Sequence, residues 1–113
     1  MATVDWQTVA VGPAALDVAY LLTTSLEPAV RRAVEPELLE RYHDRLCTLG
    51  VEGFDLETLR EGYARHTFQG IVMLVCASMI VERTERGDAM FLTMIERIAT
   101  AVDDLDARTL LAA

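Results

Sequence analysis

The segment from Ala14 to Thr24 is apolar nearly all round when wound as a helix, and this constrains the chain more than any other stretch. Such a helix needs neighbours on several sides, so it belongs at the centre of a helical assembly. Gly12-Pro13 supplies its start, a turn with Pro at the first helical position. One residue resists the pattern: Asp17, within Leu16-Asp17-Val18-Ala19-Tyr20-Leu21-Leu22. Upstream, Asp5 stands in comparable company in Val4-Asp5-Trp6-Gln7. A buried charge without a partner costs several kcal/mol, so each acid calls for a cation, a metal or backbone donors. The dipole of the first helical turn offers Asp17 only about 0.3–1 kcal/mol.

The rest of the chain reads as further helices. Thr3–Val9 alternates and carries β-branched residues, which fits one short strand or hairpin remnant lacking a partner. Ser25–Val34 contains Pro28 and one short helix; Pro36 then restarts the chain. A helix from Glu37 to Leu49 follows, with Leu38, Leu39, Tyr42, Leu46 and Leu49 on one face. Its other face offers a favourable pair, Glu37 and Arg41. Gly50 suits the stop.

Asp55 is the expected N-cap of a helix reaching Arg83, about 42 Å at the usual rise. Leu56, Leu59 and Tyr63 begin its buried stripe, and Gly62 and Gly70 weaken it, with a bend or break expected near Gly70. Past Gly70 it turns apolar all round, so Ile71–Val81 reads as a core segment, too short to span a bilayer. Cys76 reads there as a small core residue. Met73, Met79, Met90 and Met94 read as core filling. The charged connection Glu82–Asp88 leads to a last long helix, Ala89–Asp103, capped by Asp88. Phe91, Ile95, Ile98 and Val102 face inward there; Thr93, Glu96, Arg97 and Thr100 face out. Asp104–Leu111 is a short terminal helix. The fold class is mainly α, in a single domain over residues 1–113.

Composition narrows function. The net charge is -8, against a basic stripe for nucleic acid. All ten basic residues are Arg. No Lys exists to hold a phosphate or form a Schiff base. Cys47 and Cys76 lack metal-ligand spacing, and a reducing cytoplasm fits them. No secretory signal opens the chain. His43 and His66 are single helical residues without a ligand-like partner. There is no Gly-rich phosphate loop, nucleophile elbow or HExxH. An Asp leaving a short strand in apolar surroundings suits magnesium, which takes one or two carboxylates plus phosphate oxygens and water. The same Asp5 also reads as a turn residue capping local backbone. Asp17 reads as structural, pinning a neighbouring loop.

Together, Val4-Asp5-Trp6-Gln7-Thr8, Gly12-Pro13 and Asp17-Val18-Ala19-Tyr20-Leu21-Leu22 resemble the C-terminal half of the aminoglycoside phosphotransferase and choline-kinase-like enzymes, and within them the ecdysteroid-kinase-like branch. The similarity continues through Tyr42-His43-Asp44 and Val81–Phe91. It implies the helical C-terminal part of a protein-kinase-like fold. It implies Asp5 as the magnesium ligand, Asp17 as the support beneath the catalytic loop, ATP as phosphate donor and a small-molecule acceptor. That family's nucleotide-binding lobe, phosphate-contacting Lys and catalytic loop lie upstream of the magnesium Asp. Here only Met1–Val4 precede Asp5. The expectation is therefore a portion of a phosphotransferase with no catalytic residue of its own, inactive and binding neither magnesium nor ATP alone. Its partner is either the missing N-terminal lobe or a second copy. The alternative is a non-catalytic helical module that self-associates or binds a protein partner.

Overall fold

A computed structural model describes residues 9–112. Asp5 and all but Val9 of the expected Thr3–Val9 strand lie outside the described residues. Four α-helices follow in order: α1 Ala15–Ser25, α2 Pro28–Thr48, α3 Leu56–Ile80 and α4 Glu85–Asp104. A 3-10 turn, Ala107–Leu111, closes the described chain. No strand occurs among the described residues, and the protein is mainly α.

α1 is the central element. Ala15, Ala19, Leu22, Thr23 and Thr24 are buried, and the hydroxyls of Thr23 and Thr24 donate to the carbonyls of Ala19 and Tyr20 at 2.6 Å. α1 runs alongside α3 in the same direction. A Cβ on Gly62 would stand 3.4 Å from that of Ala15, and Gly70 faces the ring of Tyr20. The absence of a side chain at Gly70 also admits Ile98 of α4, so α3 continues through this position as a close crossing. α4 returns antiparallel, with Val102 and Ala64 in one apolar cluster. Arg97, expected to face out, donates instead to the carbonyls of Thr24 and Ser25 at 3.2 and 3.0 Å. A cation there satisfies the free acceptors at the end of α1 and complements its dipole.

Three helix boundaries differ from expectation, the smallest being that α3 ends at Ile80 and not at Arg83. α2 is continuous from Pro28 to Thr48 with Pro36 inside it. An interior Pro costs about 3 kcal/mol and removes one ladder hydrogen bond. Buried contacts on both sides of Pro36, described below, hold the helix through it. α4 begins at Glu85, because Thr84 caps it by accepting from the Gly87 N–H at 3.0 Å. Asp88 is occupied elsewhere, accepting from Arg83 at 2.8 Å. The Asp55 cap is found where expected, accepting from the Thr58 N–H at 2.7 Å.

The larger correction concerns Ile71–Val81. Only Leu74 is fully buried there; Val72, Met73, Val75, Cys76, Met79 and Ile80 are exposed, Met79 at 81% and Ile80 at 83%. Met90 is exposed too. The segment thus packs one side on its neighbours and leaves the other open. None of the four helices is long and apolar enough to cross a membrane.

Candidate functional site

Extending the α2 stripe backwards from Leu46, Tyr42 and Leu39 at helical spacing lands on Glu35 and Arg31. Both are buried, Arg31 at 1% exposure. The Arg31 guanidinium donates through Nη1 to Oε2 of Glu35 at 2.6 Å and through Nη2 to Asp104 at the end of α4. Oε2 of Glu35 also accepts from the Tyr63 hydroxyl of α3 at 2.6 Å. Asp104 takes a second guanidinium in a fork, from Nε and Nη2 of Arg32 at 2.8 and 3.1 Å. Two cations and two anions therefore balance, and three helices meet in one network. Nε of Arg31 is buried and has no partner among the described residues.

The network sets the protonation of its members. Burial first, then the hydrogen bond and charge of Glu35, push the Tyr63 phenol far above its ordinary 10.0, so it stays a donor. The Arg32 hydrogen bond foremost, helped by the charges of Arg32 and Arg31 against partial desolvation, holds the Asp104 carboxyl below its ordinary 3.8.

Beside this network lies a cleft of about 540 Å³ between α2, α3 and the 3-10 turn. Glu35 and Tyr63 line it, with apolar walls from Pro36, Leu39, Leu105 and Leu110. Its volume is that of a small-molecule pocket, which also combines apolar walls with a few placed polar groups. Oε2 of Glu35 is doubly engaged, whereas Oε1 has no partner among the described residues and is not sealed from solvent. Glu57 and Glu61 also line the cleft, with Arg60, which donates to Glu40 at 3.1 Å. The arrangement can bind. It offers no nucleophile beside a base, and Tyr63 is held neutral.

A scan against protein-family models matches residues 1–107 to the family described as uncharacterized oxidoreductase dhs-27. The chain belongs to that family. The matched range takes in Asp5, Asp17, all four helices and the whole buried network. No curated protein and no solved structure matches the chain.

Of the residues singled out in the sequence of this family member, Asp17, His43 and His66 fall apart from the cleft, and Asp5 lies outside the described residues. Asp17 lies in the first turn of α1 and is exposed, on the outward stripe Ala14, Asp17, Leu21 and Ser25. The expectation of a buried carboxylate there is corrected: one narrow side of an otherwise enclosed helix is open. No group of three or more His, Cys, Asp or Glu side chains that could hold a metal occurs among the described residues. Nε2 of His43 lies 2.8 Å from the Phe54 carbonyl and pins the α2–α3 connection. His66 is half-buried and does not line this cleft.

The cleft and its network escaped the sequence reading. The signal was present: Arg31 and Glu35 stand four apart on the helix, in line with the apolar stripe. The pair chosen instead, Glu37 and Arg41, is 3.9 Å apart with both side chains exposed. Such a pair is worth little.

Proposed function

We propose that this chain is the helical portion of an ATP-dependent small-molecule phosphotransferase and performs no catalysis alone. In this reading Asp5 supplies one carboxylate to magnesium, Asp17 supports the catalytic loop, and the cleft beside Tyr63 contributes a wall of the acceptor site. One observation carries it. The Val4-Asp5-Trp6-Gln7 and Asp17–Leu22 blocks lead into a helix that is central in the fold yet turns Asp17 outward. An outward Asp17 is free to receive hydrogen bonds from a segment supplied by another part of such an enzyme. Magnesium, when bound, would bridge and neutralise nucleotide phosphates. The word oxidoreductase in the family's description is not carried over, because the 113 residues contain no Gly-x-Gly-x-x-Gly fingerprint.

The test has two parts. Titration calorimetry of the chain with ATP and magnesium is expected to show no binding; micromolar affinity would refute inactivity in isolation. The coding DNA immediately upstream of Met1 is expected to encode a Lys-bearing lobe and a catalytic loop with Asp and Asn. Joined to this chain, that product should phosphorylate a small acceptor, and Asp5→Asn should abolish turnover. Absence of such a frame, or full activity in Asp5→Asn, defeats the assignment.

A second reading is favoured by the uncovered outer side of α3. In it the chain is a non-catalytic helical module that self-associates or binds a protein partner through that apolar face.

A further inference from the structure

We infer that the partner on the outer side of α3 is a second copy of this chain, packed about a twofold axis. This rests on the second reading above and names its surface and occupant.

The face is defined by spacing. Val72, Cys76 and Met79 form its centre line, with Val75 on one flank and Met73 and Ile80 on the other. Val81 extends it past the helix end. No charged residue occurs from Ile71 to Val81. Ser78, the only polar side chain in that run, is half-buried and donates to the Val75 carbonyl at 2.8 Å, so burial leaves it satisfied. The exposed fractions of these residues amount to on the order of 700 Å² of surface, close to the roughly 800 Å² per partner of a standard interface. Isolated monomers seldom expose a patch of that size.

Charge selects the occupant. An anionic lipid surface is repelled by a chain of net charge -8 that carries no basic stripe beside the face. A second copy is equally acidic, so it can approach only through a surface free of charge, and this face is one. The ends of the face carry no charge that opposes a second copy: Arg65, three turns before Cys76, is already bonded to Glu61 at 2.9 Å and to the Leu110 carbonyl at 3.1 Å, and past the other end Glu82 and Glu85 alternate with Arg83 and Arg86. A twofold axis makes the contact isologous and closed, so assembly stops at two.

Sedimentation equilibrium of the full chain, from micromolar to submillimolar concentration, is expected to show a monomer–dimer equilibrium. Met79→Glu and Ile80→Glu should each weaken it at least about tenfold while circular dichroism keeps its helical amplitude. Leu111→Glu, an exposed apolar position outside the face, should leave it unchanged. A wild-type chain that stays monomeric overturns the proposal and leaves the face to a different protein. A dimer that survives both glutamates overturns it too, since the contact then lies elsewhere. Neither result bears on Asp5 or on the phosphotransferase assignment, which the upstream coding sequence tests separately.

Discussion

The two halves of α3 share one backbone and one inward stripe, yet they meet opposite surroundings. Through Gly70 the helix buries Leu59, Tyr63, Ala64 and Thr67 and turns Glu57, Glu61, Arg65 and Gln69 to water. After Gly70 it fully buries only Leu74 and turns valines, methionines and Ile80 to water. The difference lies in what stands alongside. α2 reaches the first half through Glu35–Tyr63 and Glu40–Arg60, and the 3-10 turn reaches it through the Leu110 carbonyl and Arg65. The apolar cluster around Ala107 and Leu110 extends along α3 only as far as Ile71. Hydrophobicity along a helix thus records a need for cover, and the fold meets it in one half alone.

The comparison can be broken first at the network. Glu35→Ala leaves Arg31 buried and short of a partner, and should cost about 3–5 kcal/mol in urea denaturation. A cost near zero would mean that packing alone holds the first half and the continuous α2. Gly70, where the halves join, comes next. Gly70→Ala places a methyl against Ile98 and should cost about 1–3 kcal/mol, with Ile98→Val restoring part of it. Full tolerance of the methyl would show that the helices do not approach closely there.

The pH dependence sharpens the contrast. Because the Asp104 carboxyl lies below its ordinary 3.8, its contribution is present above that value and is lost as pH falls through the native one. Because the Tyr63 phenol lies above its ordinary 10.0, its contribution is present below pH 10 and is lost as pH rises further. Phenolate absorbance should therefore show Tyr63 ionising only on unfolding. Its ionisation near pH 10 in the folded chain would remove Tyr63 from the network. The smallest effect belongs to the second half. Ile80→Ser in dilute protein should alter stability by no more than about 0.5 kcal/mol. A larger loss would show that this face is covered within one chain.

Much of this fold was legible before the structure. α1 starts within one residue of expectation because Gly12-Pro13 announces it, and the Asp55 cap fixes α3. Local chemistry decides those features. Pro36 misled because its local cost is real but is offset by partners that sequence cannot place, such as Asp104 on a different helix. Cys76, Met73, Met79 and Met90 misled for the converse reason, whereas Met94 is half-buried. Their hydropathy is that of core residues, and burial depends on what stands opposite. The cleft was illegible because its walls come from three segments, although the line from Leu39 through Glu35 to Arg31 pointed at its floor.

The contact between Arg31 and Asp104 joins positions 73 residues apart. Its formation requires the intervening helices to be in place, so the helical end of the protein governs the start of α2. Proteolysis that removed the chain from Asp104 onward would leave the buried Arg31 guanidinium with Glu35 as its one remaining partner and loosen the start of α2. The four helices should therefore unfold as a unit, with α2 and α4 melting together.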